Sequence, residues 1–147
     1  FNNRRNLFVY KNFNNCFYYN LVKFISYEVL EKLLNLMPSL AINMVTGCVE
    51  SLSVNPDYVT KILSGNLEDS ELFRKFIYCM SKGLNYIDNE DKINKDVIMR
   101  LAINLKVKSE FEGAIDKCIE EKGSDTIETL FKFAKCFFEN SSVVFKL

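Results

Sequence analysis

The residues with the widest chemical repertoire in this chain are its five cysteines, Cys16, Cys48, Cys79, Cys118 and Cys136. A cysteine can act as nucleophile, metal ligand, disulfide partner or small buried apolar group. The first two roles need company that the other residues do not supply. There is no histidine, so neither a Cys-His nor a Ser-His pair can be assembled, and zinc sites built on imidazole are excluded. No two cysteines stand in Cys-x-x-Cys spacing, and no metal site is expected. Aspartate, glutamate, lysine and tyrosine remain as acid–base groups, but the carboxylates fall in helix caps and polar turns rather than together. The glycines are isolated and make no phosphate-cradling loop. No catalytic residue and no cofactor is therefore assigned. Two readings of the cysteines stay open here: reduced thiols in an intracellular helical interaction module, or disulfides in a secreted domain.

Lesser features have plain explanations. Tyr58, Tyr78 and Tyr86 read as amphipathic core residues with a wet tip. Asn140-Ser141-Ser142 is a formal N-glycosylation sequon. The 19 basic and 19 acidic groups cancel, which argues against a dedicated nucleic-acid binder. No run of apolar residues is long enough to span a bilayer. The cancellation is uneven along the chain. Residues 1–27 hold Arg4, Arg5, Lys11 and Lys23, no acid, and many aromatics and asparagines. They read as an atypical basic, aromatic extension, or the remnant of a targeting region, without the compact apolar run of a signal peptide. Residues 28–147 are mildly acidic and form the expected domain.

The elements that must position these residues are helices, because the apolar period from Tyr27 onward is helical. Leu30, Leu33, Leu34, Met37, Ala41, Met44 and Cys48 define a first face, with Pro38 as a kink. Asn55-Pro56 opens a second helix that Gly65 stops. Asp69 caps a third, carrying Leu72, Phe76, Ile77 and Met80 and ending at Gly83. A fourth carries Val97, Ile98, Leu101, Ala102 and Leu105. Ser109 and Glu112 form a capping box for a fifth, with Phe111, Ile115, Cys118 and Ile119. Asp125 and Glu128 repeat the box for a sixth, lined by Ile127, Leu130, Phe131, Ala134, Phe137 and Phe138. The apolar tail Val143-Val144-Phe145 is too short for another helix. The fold class is all-α, with about six short helices that depend on packing and cross-links for stability.

The contexts of four cysteines carry a resemblance. Cys48 stands in Thr46-Gly47-Cys48-Val49-Glu50, ahead of the Asn55-Pro56-Asp57 helix start. Cys79 follows Lys75-Phe76-Ile77-Tyr78, and Cys136 stands in Lys135-Cys136-Phe137-Phe138-Glu139-Asn140 with Cys118 upstream. Over residues 28–147 this resembles the insect odorant-binding proteins of the pheromone/general odorant-binding family, which have six helices and six cysteines. The resemblance makes Cys48 the first cysteine, Cys79 the third, Cys118 the fourth and Cys136 the sixth. Lys75 and Ile127 occupy the second and fifth places. In that family the first pairs with the third, the second with the fifth, and the fourth with the sixth. The implied bridges are Cys48–Cys79 and Cys118–Cys136, each contributing roughly 3 kcal/mol. The two missing cysteines are partners, so a whole bridge is gone, as in the four-cysteine "minus-C" subgroup, and the wall there should be looser. Cys16 falls outside the pattern.

The same resemblance implies a central apolar cavity for a small lipophilic molecule, covered by the C-terminal tail. Its expected lining is Met44, Phe76, Tyr78, Met80, Ser81, Ile98, Leu101, Ile115, Phe131, Ala134, Phe137 and Phe145. Tyr78 or Ser81 would orient the ligand. The implied function is a secreted, non-enzymatic carrier of odorants, pheromones or related lipids, or a non-sensory carrier on the same scaffold. A membrane odorant receptor is a candidate partner, nucleic acid is not, and the chain is expected as a monomer or weak homodimer. Many relatives release ligand through a histidine-linked acid switch. A chain without histidine has only carboxylates such as Glu139 for that purpose, so binding should be nearly flat between about pH 7 and 6.

Overall fold

A computed structural model of the chain describes residues 39–102 and 107–141, with side chains from Asn43 onward. Cys16, the extension over residues 1–27, Leu30, Leu33, Leu34, Met37, Pro38, Leu105, Val143, Val144 and Phe145 lie outside the described residues. Six α-helices occur among the described residues: α1 (Ser39–Ser51), α2 (Asp57–Leu63), α3 (Glu71–Gly83), α4 (Lys95–Met99), α5 (Lys108–Cys118) and α6 (Thr126–Asn140). A single 3-10 turn, Arg100–Ala102, extends α4.

Local chemistry sets most of the boundaries. The Asn55 side chain accepts the Asp57 N–H at 3.1 Å, and Pro56 already has helical angles, so α2 starts as expected. It ends on Gly65 at φ 72°. There the Asn66 N–H reaches the Lys61 carbonyl and the Gly65 N–H reaches that of Ile62, a Schellman closure around a left-handed residue. In α6 the Asp125 carboxylate accepts the Glu128 N–H at 2.8 Å. Glu128 closes its side of the box one residue earlier, on the backbone N–H and hydroxyl of Ser124.

Two expected caps are replaced. Ser70, not Asp69, accepts the Phe73 N–H at the start of α3, at 3.2 Å; Asp69 is taken by the Arg74 guanidinium, whose Nε lies 3.0 Å away. The Ser109–Glu112 box does not form, because Val107 occupies the cap position of α5 and Glu112 pairs with Lys95 at 3.0 Å. Lys95 also holds Asp116 at 2.6 Å, joining α4 to α5 by charge.

The interior has three connected parts. Val45, Cys48, Val49, Val59, Leu63, Phe76 and Met80 pack α1, α2 and α3 together. Ile98, Ala102, Phe111, Ile115, Cys118, Phe133 and Phe137 join α4, α5 and α6. Phe73, Ile77, Ile87, Leu130 and Phe131 form the seam between α3 and α6. Cys48 in α1 and Phe76, Ile77 and Met80 in α3 are buried as expected, and in each helix one expected residue gives way to its neighbour. In α1 it is Val45, with Cys48 and Val49, that is buried, while Met44 is 42% exposed. In α3 Phe73 is fully buried and Leu72 is 40% exposed.

Both implied disulfides are present. Cys48–Cys79 ties α1 to α3 across 31 residues of sequence, and Cys118–Cys136 ties α5 to α6 across 18. Lys75 and Ile127, the places of the absent bridge, border one groove between α3 and the start of α6. Lys75 is half exposed and bonds back along its own helix to Glu71 at 2.6 Å, so its ammonium keeps both water and a carboxylate.

Candidate ligand-binding cavity

Where the three parts of the core meet, the helices leave a cavity of about 150 Å³. From α2 it receives Ile62 and Leu63; from α3 and its end, Ile77, Met80, Ser81 and Leu84. The loop after α3 gives Tyr86 and Ile93, α4 and its extension give Ile98 and Leu101, and α5 gives Phe111. Leu130, Phe133, Ala134, Phe137 and Phe138 complete it from α6. Among the described residues no charged side chain lines this space, and Ser81 and Tyr86 supply its side-chain hydroxyls.

The loop that carries Tyr86 is built by backbone chemistry. Asn85 adopts φ 59°, where asparagine is one of the few residues besides glycine at ease. With that turn made, the Tyr86 N–H bonds the Ser81 carbonyl at 2.8 Å and the Asn85 N–H bonds that of Lys82 at 3.2 Å. The helix end thus clamps Ser81 and Tyr86 in fixed register. Asp88 then folds the loop, its carboxylate accepting the Glu90 and Lys92 N–H groups at 2.8 and 3.0 Å, while Ile87 and Ile93 pair across it. Asp91 anchors the loop on both sides, to Lys82 of α3 at 2.6 Å and to the Thr126 hydroxyl of α6 at 3.3 Å.

Electrostatically the cavity is neutral and poor in polar contacts. Burial pushes the Tyr86 phenol up to about 12. Neither the Tyr86 hydroxyl nor that of Ser81, whose side chain is buried, bonds another described group. An apolar space with little hydrogen-bonding capacity gains chiefly by taking apolar area out of water.

Of the residues expected to line the cavity, the structure brings Met80, Ser81, Ile98, Leu101, Ala134 and Phe137 into its wall. The others sit elsewhere. Phe76 is fully buried but packs toward α1 and α2, and Ile115 is consumed in the α4–α6 packing. Tyr78 lies half-buried beside the α3–α6 seam. Phe131 belongs to that seam, under the Arg74 guanidinium at 4.9 Å. Met44 is on the surface of α1 against Gly83. Phe145 lies outside the described residues.

Sequence reasoning missed Ile62, Leu63, Ile77, Leu84, Tyr86, Ile93, Phe111, Leu130, Phe133 and Phe138 as wall residues. Most of these stand on apolar helix faces and read as ordinary core. Tyr86 and Ile93 stand outside any helical period, and their signal was Asn85, a left-handed turn residue just past the helix end.

The first residue of the sequon, Asn140, also takes part in the end of α6. Asn140 Nδ2 donates to the Cys136 carbonyl at 2.8 Å, and its Oδ1 accepts from Lys117 at 2.6 Å, which joins the last turn of α6 to α5. Among the described residues no group of cysteine and carboxylate side chains is arranged to hold a metal ion, and no helix is long and apolar enough to cross a membrane.

No curated protein matches the chain closely enough to count as a relative. The model of the PBP/GOBP family matches residues 35–140, a span that includes both disulfides and every described residue of the cavity wall. The six helices, the two bridges and the apolar space between them therefore have one common explanation: the chain belongs to the PBP/GOBP family, whose members are binding carriers for small hydrophobic molecules such as odorants.

Proposed function

We propose that this chain is a secreted, non-enzymatic carrier that holds a small lipophilic molecule, an odorant, pheromone or related lipid, in the cavity between α2–α6 and moves it through aqueous extracellular fluid. The observation that carries this reading is the cavity itself, about 150 Å³ of space with an almost wholly hydrocarbon wall. Water gains little there, because a bound water needs two or more polar partners. A lipophile gains roughly 25 cal/mol for each Å² of apolar surface it hides. The two disulfides support an oxidising, extracellular setting, and the four-cysteine arrangement fits the minus-C branch. The binding domain spans residues 28–147, the working form is a monomer or weak homodimer, and a membrane odorant receptor is the intended recipient.

Displacement of a fluorescent apolar probe by a panel of volatiles tests this reading. Saturable binding near one site per chain is expected, with an affinity that changes little between about pH 7 and 6 because no histidine titrates there. Absence of saturable displacement overturns the carrier. Thiol counting on the unreduced protein adds an independent check. Two bridges leave Cys16 as one free thiol, whereas five free thiols would return the chain to the class of intracellular modules.

A further inference from the structure

A molecule carried in the cavity must pass its wall, and this inference rests on the carrier reading. A second hollow lies on the outer side of that wall. It is a groove of about 300 Å³ between the end of α2, the segment that follows it and α6, bordered among others by Gly65, Leu67, Phe131, Lys135, Phe138 and Glu139. The two spaces stand back to back. The chain steps from cavity wall to groove between Leu63 and Ser64, and again between Ala134 and Lys135. Among the described residues, Phe138 alone borders both.

The ring that separates them is weakly braced. Of the phenylalanines in the wall, Phe111, Phe133 and Phe137 are buried, whereas Phe138 is only partly so. Phe137 is flanked by the rings of Phe111, Phe133 and Phe138, with centroids 5.0, 6.3 and 5.4 Å away. The ring that Phe138 meets among the described residues is that of Phe137, edge-on. Gly65 lies against Phe138 and has no side chain to hold it. Ala134, one turn earlier on α6, gives the wall only a methyl group. A ring enclosed on all sides is locked by close packing, but one with open sides can change rotamer at little cost.

We propose that Phe138 is the gate of the cavity: its ring swings aside between the ends of α2 and α6, and the ligand enters and leaves through the outer groove. The movement needs no helix to shift. A minor open state is populated about a tenth of the time or less, so the closed ring holds association about ten-fold or more below that of an open mouth.

Stopped-flow mixing of the chain with the fluorescent apolar probe N-phenylnaphthylamine reads association and dissociation separately. Phe138→Ala and Phe133→Ala each delete one phenyl group from the wall, but Phe133 does not border the groove. Both should speed dissociation, because a lost contact acts mainly there. Phe138→Ala alone should also speed association, about ten-fold. Phe138→Leu should do so to a smaller degree, and it replaces the alanine variant if thermal melts show that one unfolded. Asp91→Asn probes a rival route. It removes the charge pairing with Lys82 that anchors the loop carrying Tyr86 and Ile93, and asparagine is at ease at the φ of 59° there. It should leave association unchanged. If folded Phe138 variants associate at the wild-type rate, or if Phe133→Ala or Asp91→Asn speeds association as much, the gate is overturned while the carrier stands. If the wild-type chain gives no saturable probe signal, the carrier reading falls and the gate falls with it.

Discussion

Helix α3 is held on two sides by different means. Toward α1 it is joined by Cys48–Cys79, where Cys48 is 4% exposed and surrounded by valines and Phe76. Toward the start of α6 it has Lys75 and Ile127, the two places that the six-cysteine resemblance would give to a bridge, and the contact relies on other groups. Phe73, Ile77, Leu130 and Phe131 pack across it, Arg74 covers the Phe131 ring, and Asp91 links Lys82 to Thr126. Lys75 takes no part in crossing, because its partner Glu71 is on its own helix. One seam is a covalent tether in a dry core and the other is hydrophobic with a polar margin. A tether acts chiefly by restricting the unfolded chain, whereas the second seam acts only while the folded groups are in place and correctly charged.

The largest expected effect comes from cutting the tether. Cys48→Ala with Cys79→Ala should cost about 4 kcal/mol in urea unfolding, and Cys118→Ala with Cys136→Ala about 3 kcal/mol, the order following the longer closed loop. Equal or reversed losses would show that strain or packing, rather than chain restriction, dominates. A smaller effect of opposite sign is expected from giving the second seam a tether of its own. Lys75→Cys with Ile127→Cys should add about 2 kcal/mol and leave the count of free thiols where it was. A count raised by two would mean that the positions do not reach each other.

The smallest effect distinguishes the seams by acid. Glu128, beside the groove at Lys75 and Ile127, is lowered from 4.5 to about 2 by the Ser124 hydroxyl and N–H and by Lys132. Glu71 is lowered as well, by its bond to Lys75. A carboxylate with a depressed folded pKa stabilises fully above its unfolded value and loses that contribution as pH falls toward its folded one. The start of α6 should therefore weaken between about pH 4.5 and 2, and Glu128→Gln should flatten part of that slope in unfolding measured across the range. A variant that tracks the wild type would remove Glu128 from the margin. Among the described residues the Cys48–Cys79 bridge is packed by apolar side chains, and that side should change less over the same range.

How much of this was legible beforehand depends on how local the signal is. The six helices and the caps at Asn55 and Asp125 are written in short segments, the bridge pairs follow from the family resemblance, and all of them stand in the structure. The phase of an amphipathic face is less local. Met44 and Val45, or Leu72 and Phe73, differ by about 100° around a helix, and an apolar stripe at least that wide admits either; packing partners decided for Val45 and Phe73. The Ser109–Glu112 pattern was a sound cap in isolation, but Lys95, far away in sequence, claimed Glu112. The cavity wall was the least legible part, since the same residue types fill a core or line a void. Only the three-dimensional meeting of α2 to α6 tells Phe133 and Phe138 from Phe76 and Ile115.

Gly65 closes α2 with a left-handed backbone, and a side chain placed on it would come within 3.1 to 3.4 Å of the Phe138 side chain. That ring faces both the cavity and the outer groove that Gly65 borders. A substitution at 65 would thus shift Phe138, and with it the volume offered to a ligand, without any wall residue changing identity. The shape of the cavity is thus tied to a position outside its wall, and the wall residues alone do not define it.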